Sequence, residues 1–214
     1  MRKLSVQFRA VTPVLLLSWL GILISLLLAV FTSTVKNIPL DTFTKDPLSV
    51  SNAPFYFGFF SNLGIMFWSA SIMTCWFVAY RVYYSGTKND FQFMLWSGVV
   101  TLVMTIDDLF QLHEQVMPAY FAVSENMVYI TYLNIYLIYF IRFRKKILRS
   151  EFITLILAFL FLGLSTVIDL IPLPIPKDTF LEDALKLFGT VSWFVYYFRT
   201  SNEVLDRKLP TAIY

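Results

Sequence analysis

Charged residues are scarce in this sequence. Asp, Glu, Lys and Arg make up 14% of the chain, hydrophobic residues make up 57%, and the mean hydropathy is +0.66. A soluble domain usually carries about 25% charged residues. So few charges cannot cover a surface that faces water, which excludes an ordinary soluble fold. The composition therefore predicts a protein whose solvent is lipid.

Cysteine and histidine are each present only once, as Cys75 and His113. A single thiol cannot form an internal disulfide, and zinc sites that need several cysteines or histidines are excluded. A di-iron helical bundle would need two Glu-x-x-His motifs, which the sequence lacks. Any metal site must therefore be built mainly from carboxylates, with at most one imidazole.

Long apolar segments make up most of the chain. A helix rises about 1.5 Å per residue, so roughly 20 residues cross a hydrocarbon core about 30 Å thick. The uncharged run from Ala10 to Val35 is longer than the roughly 7–15 residues of a signal-peptide core, which favours a retained anchor helix. We predict an all-α polytopic membrane protein with a single transmembrane domain over residues 1–214. Its six helical spans cover about residues 11–35, 56–80, 91–113, 126–141, 152–171 and 180–198.

Basic residues alternate from side to side along these spans. Of the 17 Lys and Arg residues, 13 lie in the N-terminal segment, the 81–90 and 142–151 loops and the C-terminal tail. Since Lys and Arg accumulate on the cytoplasmic side, both termini are predicted to be cytoplasmic. The expected location is a prokaryotic plasma membrane or a related internal membrane.

The second half of the sequence indicates a repeat. Residues 125–142 align without a gap with residues 182–199, so that Glu125 pairs with Glu182 and Arg142 with Arg199. The third and fourth spans and the fifth and sixth spans are therefore predicted to be parallel copies of one hairpin.

Ten of the 14 acids lie on the predicted outer side, and several of them gather at the outer ends of spans. Asp108 and Asp169 approach helix C-termini, where the helix dipole does not stabilise a negative charge. Ionisable groups inside a membrane normally face partners or a water-filled cavity. Carboxylate oxygens suit Mg²⁺, Ca²⁺ or Mn²⁺. The candidate metal ligands are Asp107, Asp108, His113, Glu114, Asp169, Glu182 and Asp183.

Local spacing divides this cluster further. In one continuous helix over residues 91–113, Asp107, Gln111 and Glu114 would share a face, with His113 about 120° round from Asp107. Glu125 and Glu182 begin helices, where the dipole alone accounts for an acid. Lys186 is within reach of Asp107, Asp108 or Glu182, so a buried salt-bridge network is the structural alternative to a metal site.

A row of tyrosines continues from Glu125 along the fourth span. Tyr129, Tyr132, Tyr136 and Tyr139 are spaced three, four and three residues apart, which places them on one helix face. This face either packs within the bundle or lines a cavity for a cofactor such as a lipid, quinone or pigment.

Three functions remain open. The sequence favours a membrane protein whose outward carboxylate cluster binds a cation, either a hard divalent metal or protons, in a role related to transport. The alternatives are a metal-dependent enzyme that acts on a lipid or quinone at the outer interface, and an accessory subunit of a larger membrane complex. The expected partners are the lipid bilayer and other membrane subunits. No nucleic-acid-binding pattern is present.

Overall fold

The computed structural model describes residues 4–43, 47–54, 56–84, 88–170 and 178–207. Within these ranges the chain forms helices and no strand, which confirms the all-α fold class. Residues 85–87 of the predicted 81–90 loop and residue 171, the last of the fifth predicted span, lie outside the described residues. The helices are α1 (Leu4–Lys36), α2 (Pro47–Ser51), α3 (Phe59–Tyr83), α4 (Lys88–Phe110), α5 (Met117–Phe121), α6 (Glu125–Ile147), α7 (Phe152–Leu170) and α8 (Asp178–Asp206).

The chain divides into two compact units, and the first covers residues 1–57. Its main element is α1, which ends where Asn37 adopts a left-handed backbone conformation with φ of 53°. Asparagine tolerates this conformation, and it is a common way to end a helix. The Ser33 hydroxyl donates to the carbonyl of Ile38 at 2.7 Å, which stabilises the turn that follows the helix.

The second unit, residues 58–214, is built around α3 and α8. These two helices pack against each other, with α4 against α3 and α7 against α8. The centre of the unit is aromatic: the indole rings of Trp68 on α3 and Trp193 on α8 meet edge to face with their centroids 5.6 Å apart. Both side chains are buried, and such pairs add about 0.5–1.5 kcal/mol beyond their area burial.

Two glycines allow the close helix crossings. A Cβ atom on Gly98 would overlap the indole of Trp76, so glycine is required where α4 crosses α3. The Trp76 indole nitrogen donates to the carbonyl of Leu95 at 3.3 Å. A Cβ atom on Gly189 would lie 2.6 Å from the Leu162 Cγ atom, so the same argument applies where α8 crosses α7.

Polar side chains in the core are bonded to one another. The Trp193 indole donates to the hydroxyl of Thr101 at 3.0 Å. The Tyr139 hydroxyl lies 2.7 Å from the Ser97 hydroxyl and 3.0 Å from the Tyr197 hydroxyl. A buried polar group that lacks a partner is costly, so these pairs fix the register of α4, α6 and α8.

Charged pairs lie at the predicted cytoplasmic end. Lys146 on α6 pairs with Asp90 on α4, and Arg199 on α8 pairs with Glu151 in the loop before α7. The hydrogen bond from Arg199 lowers the pKa of the exposed Glu151 carboxyl from its usual value of 4.5. These pairs tie α6 to α4 and the 148–151 loop to α8.

Three of the described helices are long and apolar enough to cross a membrane: α3, α4 and residues Phe152–Asp169 of α7. Length and composition thus support a membrane protein, whereas the count of six spans and the orientation stay predictions. The repeat also stays a prediction. Its two predicted hairpins pack differently, since α7 and α8 contact each other extensively but α4 and α6 contact each other at few positions.

Candidate functional site

The outer end of α4 differs from the continuous helix that the sequence predicts. The helix ends at Phe110, and Gln111 adopts a left-handed conformation with φ of 50° and ψ of 49°. A wider helical turn, Leu112–Val116, then leads into α5. The predicted face that joins Asp107, Gln111 and Glu114 is therefore not formed. The turn brings His113 back over the end of α4 instead of placing it 120° away from Asp107.

Asp107 is the buried acceptor that holds this turn. One of its carboxylate oxygens accepts the backbone N–H of His113 at 3.0 Å and the Tyr132 hydroxyl at 2.7 Å. The other lies 2.6 Å from Nδ1 of the same histidine. Because an ionised carboxylate only accepts hydrogen bonds, the proton belongs on Nδ1. When the ring is neutral, its lone pair is then on Nε2.

The neighbouring carboxylate, Asp108, faces different partners. It accepts the indole N–H of Trp68 at 3.1 Å and forms an ion pair with Lys186 on α8. Asp108 is therefore part of a buried salt bridge, which is the alternative to a metal site, and its charge is neutralised within the bundle. Asp107 and Asp108 have separate roles although they are adjacent in the sequence.

Besides Asp107, acid groups on α6 and α7 also approach His113. One ring nitrogen of His113 and one oxygen each of Glu125 and Asp169 lie within 4.8 Å of one another. Tyr129 connects the group, since its hydroxyl donates to Asp169 at 3.0 Å and its ring lies 5.0 Å from the imidazole, centroid to centroid. Glu114 is also near, with an oxygen 3.4 Å from Nε2. Acids at the far ends of α4 and α7 therefore face one site.

A cavity of about 620 Å³ opens onto this group. Its polar end contains His113, Asp169 and Glu182, and the rest of its lining is largely apolar side chains of α6 and α7, such as Leu137 and Phe140. This size and this combination of an apolar wall with a few polar groups are typical of small-molecule sites. The arrangement is suited to binding a molecule that has one polar end.

The structure brings most of the predicted site residues to this cavity. Six of the seven candidate metal ligands line it; Asp183 lies beside Glu182 on α8 but is not part of the lining. Of the four predicted tyrosines, Tyr129, Tyr132 and Tyr136 line the cavity, whereas Tyr139 is buried in the core.

Two residues of the site were not among the predicted ligands. The sequence accounted for Glu125 as a helix start, which it is, since α6 begins there after Ser124. Its alignment with Glu182, a predicted ligand, was the signal that pointed to it. Trp68 carries no such signal, because an indole in an apolar helix is indistinguishable from a packing residue until its partner Asp108 is known.

Neither the curated proteins nor the solved structures contain a match to this chain. A family model matches residues 11–200, which include all of the residues that line the cavity. The chain therefore belongs to the family described as Domain of unknown function (DUF8692).

Proposed function

We propose that this protein is an integral membrane protein that binds one divalent metal ion at His113, Glu125 and Asp169. The observation that carries the proposal is the approach of these three ligand atoms to within 4.8 Å of one another. Two ligands of one divalent ion lie at most about 4 to 5 Å apart, so this spacing is within the range of a shared ion.

The hydrogen bond between Asp107 and His113 supports the same site. Histidines that bind metals usually donate their other ring N–H to a carboxylate or carbonyl, which sets the tautomer and the ring orientation. The distance of 2.6 Å from Asp107 to Nδ1 provides this second partner and leaves Nε2 for the ion. Asp107 is therefore a positioning residue and not a ligand.

The donor set favours Mn²⁺ among the three ions considered. Protein sites for Ca²⁺ and Mg²⁺ are built from oxygens, whereas first-row transition metals also accept imidazole nitrogen. One imidazole with two carboxylates therefore suits Mn²⁺ best, and Glu114 is close enough to provide a further oxygen.

The ion is placed on the outer side of the membrane. The distribution of basic residues predicts that both termini are cytoplasmic, and in that orientation the ends of α4 and α7 that carry Asp107 and Asp169 are the outer ends. The proposed topology has six spans, formed by α1, α3, α4, α6, α7 and α8.

Binding is proposed without transport. A cation path would need polar side chains to continue inward from the site, but the described cavity lining becomes apolar at Leu133, Leu137 and Phe140. This apolar wall favours a second candidate function, a metal-dependent enzyme whose substrate is a lipid held beside the ion.

Metal content tests the proposal directly. We expect the purified protein, incubated with Mn²⁺ and then desalted, to retain about one ion per chain, and its melting temperature to rise with Mn²⁺ because the ion binds only the folded state. The variants Asp169→Asn and Glu125→Gln should each lose most of the ion. Asp206→Asn, which changes an exposed carboxylate at the other end of α8, is the matched control.

The opposite result is also clear. A folded wild-type protein that retains no ion, and whose melting temperature does not change with Mn²⁺, Mg²⁺ or Ca²⁺, would contradict the proposal. Equal retention by the wild type and both variants would show that the ion binds elsewhere.

A further inference from the structure

The cavity at the metal site continues along the seam between α6 and α7. A second cavity of about 420 Å³ lies nearer the 148–151 loop, and its described lining is entirely apolar. The two cavities share the side chains of Phe140 and Phe159. The rings of these two residues meet edge to face with their centroids 5.0 Å apart, so the cavities meet at this ring pair, and a chain that fills both must part the rings. We call the two cavities together the groove, which begins at His113 and Asp169 and ends at Leu148.

The length of this groove matches a hydrocarbon chain. Its wall on α6 extends from Tyr129 to Leu148, which is about 28 Å at about 1.5 Å per residue. Its apolar part, from Leu133 to Leu148, is about 22 Å long. This exceeds the roughly 15 Å that one leaflet of a hydrocarbon core provides, so it can hold one extended lipid chain. A groove of this length, with polar groups at one end only, fits a long single chain that bears a polar head.

The charges at the polar end select the head group. Five carboxylates line it and a sixth, that of Glu125, lies within 4.8 Å of His113 and Asp169, whereas Lys186 is the one lysine or arginine among the described lining residues. The six are Asp107, Asp108, Glu114, Glu125, Asp169 and Glu182. Even with a divalent ion bound, negative charges outnumber positive ones. A phosphate or carboxylate head would be repelled, and a protonated amine would be attracted.

We infer that the groove binds one single-chain lipid amphiphile with an amine head, its chain between α6 and α7 and its nitrogen beside Asp169 and Glu182. The inference extends the proposed function by naming the class of molecule held at the same site. The inference does not require the metal, because the polar end carries excess negative charge, which favours a cationic head group, both with and without the bound metal ion.

Gly163 offers a way to block the groove without touching its polar end. This residue lines the cavity, and a Cβ atom built on it has no heavy atom within 4 Å. Gly163→Phe therefore places a ring in the groove while α7 keeps its helix. Leu164→Phe is the matched control, since Leu164 is the next residue on α7, is 45% exposed and does not line the groove.

The test uses hexadecylamine that carries a photoreactive diazirine in mid-chain, with the full-length protein in lipid nanodiscs. After illumination, labelled peptides are identified by mass spectrometry. We expect the label on residues 129–148 and 152–169, and we expect unlabelled hexadecylamine to compete about tenfold better than palmitate. Gly163→Phe should reduce labelling about tenfold, with Leu164→Phe and the Mn²⁺ content unchanged.

Three results would overturn the inference: equal competition by palmitate, unchanged labelling of Gly163→Phe, or labelling spread over lipid-facing residues outside the groove. Transfer of the label to a second polypeptide, instead of to residues 129–148 and 152–169, would likewise assign the groove to a partner helix. If the wild type retains no metal but labelling follows the expected pattern, the proposed function fails and the groove assignment stands. If the wild type retains the metal but labelling does not follow the expected pattern, the groove assignment fails and the proposed function stands.

Discussion

Replacing Asp107 with asparagine is expected to weaken metal binding although Asp107 does not touch the ion. One oxygen of Asp107 accepts two hydrogen bonds and the other faces His113 Nδ1. If the asparagine oxygen keeps the two donors, its NH₂ group faces Nδ1 and forces the histidine proton onto Nε2. The nitrogen that would bind the ion then has no lone pair.

The other orientation of the amide is also unfavourable. It preserves the Nδ1 proton but turns the NH₂ group towards the backbone N–H of His113, and two buried donors then face each other. Such a conflict costs about 1–3 kcal/mol. Loss of a partner behind a metal-bound histidine typically weakens binding about 10- to 100-fold, or by about 1.4 to 2.8 kcal/mol. We expect Asp107→Asn to fall in this range.

Isothermal titration calorimetry with Mn²⁺ measures this effect. Tyr132→Phe is the control, because it removes one donor to Asp107 but leaves the bond to Nδ1, and should change the affinity about threefold or less. Asp107→Asn protein that melts near the wild-type temperature and binds Mn²⁺ as tightly as the wild type would refute the reasoning.

Three further predictions concern stability. Gly98→Ala should lower the free energy of unfolding by about 1–3 kcal/mol, measured by chemical denaturation, because the added methyl group overlaps the Trp76 indole. Gly64→Ala is the control and should not have this effect, since the space at its Cβ is open. Equal effects would contradict the tight α3–α4 crossing. Tyr139→Phe should lower the free energy of unfolding by about 1–3 kcal/mol without changing the affinity for Mn²⁺, because it removes a buried hydroxyl that is bonded to two others. Tyr80→Phe, at an exposed position, should lower it little. A loss of metal binding by Tyr139→Phe would contradict the place of Tyr139 in the core. Because the folded pKa of Glu151 lies below its usual 4.5, its stabilisation is complete above that pH and is lost as the pH falls through the folded pKa. Melting temperatures of Glu151→Gln should therefore fall less on acidification than those of the wild type, and parallel curves would contradict the pair.

The helices were predictable from the sequence because their cause is local. Apolar runs of membrane-crossing length and the charged residues between them mark α3, α4 and α7 without any knowledge of their neighbours. The end of α4 was not predictable in the same way. The left-handed Gln111 ends the helix in a stretch, residues 99–117, where no glycine or proline marks an end. The contact that stabilises this conformation is formed only when Asp107 receives the returning His113.

The location of the site was predictable from the sequence, but the role of each residue in it was not. A surplus of carboxylates at one depth indicated that Asp107, Asp108 and Asp169 face a common site, because membrane burial makes isolated charges costly. Which acid faces which partner depends on packing between distant segments. The sequence therefore could not show that Trp68 and Lys186 take Asp108, or that Glu125 joins His113.

The tautomer of His113, and its response to Mn²⁺, test the central claim most directly. The sequence contains one histidine, so protein labelled with ¹⁵N-histidine gives ring signals from this residue alone. We predict a proton on Nδ1 and a bare Nε2 in the metal-free protein, with the Nε2 signal broadened first when paramagnetic Mn²⁺ is added. A proton on Nε2 in the metal-free protein, or ring signals that Mn²⁺ leaves sharp while the protein stays folded, would contradict a metal site at His113.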